Sequence, residues 1–397
     1  MKEGALSEMK VVEVCQVMAG PFCGSLLGDM GADVLKVENP EGGDTARTLG
    51  RYFDGGEGHG FMNLNRNKRS IAINLKEKLG IKLLKDLIKK SDVFIENLRP
   101  GTINKMGLSY DELKKINPSI IYATISGYGV TGPFSEKGGF DLVAQGFSSL
   151  MSFTGEPGGN PSKIPIPICD LNAGMYTAFS ILSAYIYKQK TGFGQFIDTS
   201  LVDSGLGYTF WAASQFFASN EIPVPRGSAH EMTAPYQAFK CKDGFLVLGA
   251  ANQINWERLC KAIDKEEFLT HPDYIENSSR TEKYKQLAKD LEIEFIKKNR
   301  DEWIEILDKA KVPCGPILNM QETFSHPQIK ARQMCVEIEH PKAGLIKVLG
   351  FPPKLSLTPG LISKPSPVLG EHTGEILSEF GLSKEKISDL RQKNVIN

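Results

Sequence analysis

The chain has 397 residues, 47 basic against 47 acidic side chains, and a formal net charge of +0. That balance gives no electrostatic reason to expect nucleic acid or an anionic membrane as partner, and the longest apolar stretch, Phe179 to Tyr187, is too short to span a bilayer. Length and a hydrophobic share of 41% allow a large core in two domains or one elaborated domain. In chain order, Lys10 to Cys15 is a short β-branched run, and Gly20-Pro21 opens a helix that ends near Gly31. Ala32 to Val37 and Arg69 to Leu75 are the next predicted strands. Between Lys76 and Lys90, Leu79, Leu83, Leu84, Leu87 and Ile88 recur on one helical face. Val93 to Ile95 is a strand, Ser109-Tyr110-Asp111-Glu112 starts a short capped helix, and Ser119 to Ile125 is a further strand.

This alternation predicts an α/β architecture with a largely parallel sheet. Gln195 to Thr199 and a helix over Leu201 to Ala218 close that half. The texture changes at Ile222-Pro223-Val224-Pro225, a linker. Beyond it, Ala238 to Ala250 forms a hairpin turning at Asp243-Gly244, and charged helical segments come next at Asn255 to Ile263 and Arg280 to Lys311. A hairpin around Lys342-Ala343-Gly344 and two short helices after Thr373 and Ser383 end the chain. The expected division is a large domain over residues 1–221, a smaller α+β domain over 222–325, and a return to the large domain over 326–397.

Residues Met1 to Lys10 lack an apolar core, which predicts no signal peptide. Seven cysteines without a C-x-x-C pair suit free thiols in a reducing, cytoplasmic compartment, and six histidines without ligand spacing predict no metal site. Gly127-Tyr128-Gly129-Val130-Thr131-Gly132 matches a dinucleotide fingerprint in letters. Pro133 comes directly after it, so no helix N-terminus is available to face a pyrophosphate.

Asp170 is the most informative residue of the chain. The strand-like run Lys163-Ile164-Pro165-Ile166-Pro167-Ile168-Cys169 delivers it to the start of a small-residue helix, where an N-cap is the ordinary role of Asp. Basic and amide residues cluster at Asn65 to Ser70, at Lys76 and at Glu96 to Gly101, a pattern suited to an extended anionic ligand. Cys169 reads as buried packing, and His230 as a loop residue that either meets a carboxylate or holds the loop.

Taken in order, several blocks resemble the class III CoA-transferases, the family of formyl-CoA transferase and the carnitine and bile-acid CoA-transferases. They are Ala19-Gly20-Pro21-Phe22, Gly31-Ala32-Asp33-Val34-Leu35-Lys36-Val37-Glu38, Asn67-Lys68-Arg69-Ser70 and Glu96-Asn97-Leu98-Arg99-Pro100-Gly101. Ser126-Gly127-Tyr128-Gly129, Gly132-Pro133, Thr191-Gly192-Phe193-Gly194-Gln195, Ala234-Pro235-Tyr236 and Leu369-Gly370-Glu371-His372-Thr373 continue the pattern. The resemblance implies a Rossmann-like large domain built from both chain ends, an inserted smaller domain, and a homodimer of interlocked rings. It places the catalytic aspartate on Asp170 and CoA contacts on Val17, Met18, Lys76, Asn97, Leu98 and Arg99, with Lys105 as a phosphate partner. The family's mobile glycine loop falls on Gly249, Ala250, Ala251 and Asn252, where two alanines reduce the freedom expected of it.

The activity this resemblance implies is CoA transfer from an acyl-CoA thioester to a carboxylic acid. Coenzyme A and its esters act as substrates, and no tightly bound cofactor is expected. An ordinary aspartate is ionised at neutral pH and attacks without a general base. Phe140 and Asp141 are the neighbours expected to support it. A racemase branch of the fold uses a His where this chain has Phe140, so the two-base isomerase reading lacks one base. A CoA-ester-binding protein without catalysis is the remaining alternative, and the Asp170 context speaks against it.

Overall fold

The computed structural model describes residues 4–53 and 55–397. Lys2 and Glu3, on which the reading of the N-terminus partly rests, lie outside the described residues. Two compact units are present: Met1–Leu150 with Lys163–Ala218 and Pro327–Asn397, and Met151–Ser162 with Ser219–His326.

In the first unit, β1 (Lys10–Val14), β2 (Asp33–Glu38), β3 (Lys68–Ala72), β4 (Val93–Glu96), β5 (Ile121–Ser126) and β6 (Phe196–Ser200) form one sheet in the order β3-β2-β1-β4-β5-β6. Every pairing in it is parallel. The inner strands β1, β2 and β4 are buried on both faces, although β1 and β2 carry charged residues within their apolar runs. The strand order reverses between β1 and β4, and crevices outside the carboxyl ends at such a point are the usual ligand sites of open α/β sheets.

One face of the sheet carries Val12, Leu35, Ile71 and Phe94 into an apolar cluster. Leu83, Leu84, Leu87 and Ile88 of the helix Lys78–Lys89 join it, as their spacing predicted. The period of two along a strand turns Glu13, Lys36, Lys68 and Ser70 to the opposite face, and all four are fully buried. Glu13 bonds Lys68 at 2.8 Å and Lys36 at 3.4 Å, and Lys36 pairs with Asp44 at 2.9 Å. The helix Ala19–Asp29 lies over this charged face at Gly24, where a β-carbon would come 2.0 Å from Glu13 Oε2.

Two local expectations fail for identifiable reasons. Residues 163–167 are not a strand, because Pro165 and Pro167 lack the N–H donors that a ladder needs. The expected helix from Leu201 to Ala218 is broken at Tyr208 and Thr209 into Leu201–Gly207 and Phe210–Ser219. The second of these buries no residue, leaving Phe210, Trp211 and Phe217 exposed.

The second unit contains an antiparallel sheet of β7 (Tyr236–Lys240), β8 (Phe245–Gly249) and β9 (Cys314–Pro316). Its core gathers Phe239, Trp256, Leu259, Leu291, Phe295 and Trp303. The predicted helical stretch at 280–311 is three helices, the last opened by an Asn299–Glu302 capping box. The late hairpin is β10 (Cys335–His340) with β11 (Gly344–Leu349), and belongs to the first unit. Among the described residues, no helix is long and apolar enough to cross a membrane.

Candidate active site

Asp170 is the third residue of the helix Ile168–Thr191. It therefore does not take the N-cap role that Asp ordinarily has at a helix start. Pro167 holds the cap position, and no side-chain bond caps the helix. The helix is positioned by its small residues: at Gly174 a β-carbon would lie 2.7 Å from the Ala19 carbonyl oxygen, so only glycine allows this approach to the helix Ala19–Asp29.

The residues before Asp170 are held from the short helix Asp141–Phe147. Asp141 Oδ1 accepts the Cys169 N–H at 2.8 Å, and Asp141 Oδ2 accepts from Gln145 Nε2 at 2.6 Å. Gln145, fully buried, also accepts the Ile164 N–H at 2.8 Å and donates to the Ile164 and Ile166 carbonyls, each at 3.2 Å. Sequence reasoning missed Gln145. Its one signal was the four-residue spacing from Asp141, which puts both on one helical face. Phe140 precedes this helix and is 76% exposed.

Burial, with the neighbouring Asp141 carboxylate second, raises the Asp170 carboxyl from the ordinary carboxylate range to about 7. The expectation of a fully ionised aspartate at neutral pH is therefore corrected. A helix N-terminus favours the anion by only ~0.3–1 kcal/mol, under one pH unit, so desolvation wins. Cys169 is buried, and burial pushes its thiol up to about 12, which leaves it inert at neutral pH.

The basic residues separate into two groups. Those at 66–69 are occupied internally, which corrects their reading as ligand cations. Arg66 binds Asp29 at 2.6 Å, Lys68 binds Glu13, and Arg69 pairs with Asp33, Glu375 and Glu379. Lys76, Arg99 and Lys105 carry no ion pair among the described residues and line cavities at the carboxyl edge of the sheet. Lys76 borders one of 250 Å³ with Val14, Gly43 and Asp44, beyond β1, β2 and β3. Arg99 and Lys105 border another of 770 Å³ with Glu96, Thr124 and Ser126, beyond β4 and β5. Leu98 lines both.

Between β1 and the helix Ala19–Asp29, Val17 takes a left-handed backbone (φ 67°), rare for a β-branched residue. Its N–H donates to Asp44 Oδ1 at 3.0 Å, and Met18 comes next as the N-cap residue of that helix. Asn97 fastens the same turn to the end of β4, accepting the Gln16 N–H and donating to the Gln16 carbonyl, both at 2.8 Å. Its side chain is thus engaged in holding the turn.

In the second unit, residues 249–252 leave β8 as an anchored turn. Gly249 N–H donates to Pro313 O at 3.0 Å, and Ala250 N–H to Pro235 O at 2.9 Å. The Thr233 hydroxyl donates to Ala251 O at 3.1 Å, and the Asn252 side chain caps the helix Gln253–Ala262. His230 serves its own loop, its Nδ1 accepting the Met232 N–H at 3.1 Å. No helix starts at the glycines 127–132; the next begins at Asp141.

The comparisons with known proteins bear on the whole chain. Residues 6–373 match the model of CoA-transferase family III. The chain is 39% identical over 374 residues to succinyl-CoA:glutarate CoA-transferase from Homo sapiens, covering 94% of this chain and 85% of that protein. It is 36% identical to succinate–glutarate CoA-transferase from Agrobacterium fabrum, over 94% and 95% of the two chains. Among solved structures, a CAIB/BAIF family protein from Brucella suis superposes with a TM-score of 0.86 at 36% identity, covering 96% of this chain and 100% of that one. A match of this extent settles the membership: the chain belongs to CoA-transferase family III.

Proposed function

We propose that this protein moves CoA from an acyl-CoA thioester to a free carboxylic acid, with Asp170 as the nucleophile. Its carboxylate oxygen attacks the thioester carbonyl, and CoA thiolate leaves a mixed acyl–aspartyl anhydride. The thiolate then attacks the Asp170 carbonyl, releasing the donor acid and forming an aspartyl-CoA thioester. The acceptor carboxylate reverses these steps, so Asp170 is regenerated. The observation that carries this reading is one half-buried carboxylate, raised to about 7, on the first turn of a long helix. The names of the human and Agrobacterium relatives support short dicarboxylates such as succinate and glutarate as the acids. Phe140 offers no base for proton exchange at an α-carbon, which disfavours the racemase chemistry. Wild-type protein incubated with succinyl-CoA should yield an adduct on the peptide containing Asp170, trappable with hydroxylamine; absence of any adduct during turnover overturns the reading.

Reactivity should track the Asp170 anion. Below about pH 7, kcat/KM is expected to rise nearly tenfold per pH unit and then level off. Asp141 raises Asp170, so Asp141→Asn should move this limb to lower pH. An upward shift or none at all would remove Asp141 from the reaction.

For the cofactor moiety, the unpaired cations Lys76, Arg99 and Lys105 are assigned to CoA phosphates, with Val17, Met18, Asn97 and Leu98 shaping the crevice. Lys76→Ala and Arg99→Ala should each weaken CoA binding by ~1–3 kcal/mol, the range of charge-assisted hydrogen bonds. Titration calorimetry giving wild-type affinity for both would refute the assignment.

The proposed assembly is an interlocked homodimer, with an inserted small domain over 222–325 and cytoplasmic residence. Its support is the run of exposed aromatic side chains Tyr176, Phe179, Tyr187, Phe210, Trp211 and Phe217 on the helices Ile168–Thr191 and Phe210–Ser219, more than a free surface ordinarily shows. Linked rings separate only by partial unfolding, so sedimentation at nanomolar concentration should still show a dimer. A folded monomer there would sink the interlocked arrangement and leave the chemistry standing.

A further inference from the structure

Gln145 is an uncharged amide with no solvent exposure, set beside the run that leads into Asp170. Its neighbours fix its orientation. Ile164 N–H can only donate, so Oε1 faces it, while Asp141 Oδ2 and the Ile164 and Ile166 carbonyls can only accept, so the NH₂ group faces them. The segment from Ile164 to Pro167 belongs to no sheet, and its two prolines have no N–H. Gln145 stands in for the missing partner strand, pairing with Ile164 through both its donor and its acceptor. Through Asp141 the same amide reaches Cys169, the residue before Asp170.

We propose that Gln145 is the positioning residue for the Asp170 nucleophile, fixing the run that enters Asp170 and holding in place the Asp141 carboxylate that accepts the Cys169 N–H. This rests on Asp170 being the nucleophile. With a donor on each oxygen, the Asp141 carboxylate is fixed in one orientation, and losing the Gln145 donor frees it to turn away from the Cys169 N–H. The titratable groups around Gln145 are Asp141 on its own helix and Cys169 and Asp170 on the long one. The helix Leu201–Gly207 meets this region at Gly205, where a β-carbon would touch Cys169 Sγ, and its own Asp203 is exposed.

Two variants test this by steady-state kinetics from about pH 5.5 to 9, a window spanning the Asp170 titration. Gln145→Met should lower kcat by at least ~10²-fold while KM for the acyl-CoA changes less than ~3-fold, the signature of an interaction that matters for the chemical step. Gln145→Glu adds a pH-dependent readout. Protonated, the introduced carboxyl donates to Asp141 and accepts from Ile164 like the amide; ionised, it faces Asp141 as a like charge. Its profile should therefore gain a falling limb at high pH that wild type lacks. A wild-type profile merely scaled by a constant, or Gln145→Met within ~3-fold of wild-type kcat, overturns the proposal. If Gln145→Met does not fold, the Gln145→Glu profile decides alone. Adduct trapping separates the two levels. No adduct in wild type defeats the nucleophile itself, and equal rates of adduct formation in wild type and both variants defeat only Gln145.

Discussion

An Asp170→Ala variant is expected to lose at least ~10³–10⁴ in turnover and to form no covalent adduct, the scale of loss when a central catalytic group is deleted. It should fold. Asp170 makes no cap bond, and its ionisation inside the protein works against stability. Burial and Asp141 favour its protonated form in the folded state, whereas an unfolded aspartate titrates near its ordinary 3.8. Between that value and about 7 the folded state holds more protons, so stability falls as pH rises, and the cost is complete above 7. Asp170→Ala and Asp170→Asn should thus melt higher than wild type at pH 8, with a gap that shrinks toward pH 4. Thermal melts at both values, beside donor–acceptor kinetics, measure the two effects on the same samples. Full transferase activity in a folded Asp170→Ala protein would end the proposal. A catalytic group that destabilises its own fold is the usual exchange of stability for activity.

How far the sequence could be read depends on the range of each interaction. Runs such as Val11 to Val14 and Val93 to Ile95 announce buried parallel strands because periodicity is local. Asp170 stood out as a lone carboxylate ahead of small residues, yet the run before it was misread as a strand, since Pro165 and Pro167 lack the N–H donors a strand there would need. Arg66, Lys68 and Arg69 looked like ligand cations beside Lys76 and Arg99. A lysine at a strand end has the same neighbours in sequence whether it faces a phosphate or a carboxylate brought in from elsewhere. The partner of Lys68 is Glu13, and Arg69 reaches Glu375 and Glu379 near the other end of the chain. Gln145 was invisible for the same reason, its pairing with Ile164 being made only after the chain has turned. The Gly249–Asn252 turn was expected to keep some glycine-loop freedom. Thr233, Pro235 and Pro313 hold it, and no local pattern reports them.

Glu13→Ala should cost ~3–5 kcal/mol, the loss expected when one partner of a buried ion pair is removed and the other stays. Set against a typical total of ~5–15 kcal/mol, this leaves a marginal protein. Lys68 would retain only Pro21 O at 2.7 Å and Asn65 Oδ1 at 3.0 Å as acceptors, with no counter-charge in contact. Adding Lys68→Met should recover part of the loss, so the double variant is more stable than the two single costs sum to. Urea midpoints at fixed protein concentration measure this cycle; simple additivity would mean that the pair is not coupled. The pH dependence has a definite sign. Burial lowers Lys68 and Glu13 raises it, so removing Glu13 lets Lys68 shed its proton at a lower pH. The Glu13→Ala penalty should therefore shrink as pH rises and Lys68 becomes neutral. The same network reaches the proposed CoA crevice. Lys36 contacts Glu13, donates to the Cys15 carbonyl at 3.0 Å and pairs with Asp44, whose other oxygen holds the Val17 N–H. Glu13→Ala protein that remains folded should bind CoA more weakly than wild type, although no atom of Glu13 lines either cavity. Unchanged affinity in titration calorimetry would confine the network to stability.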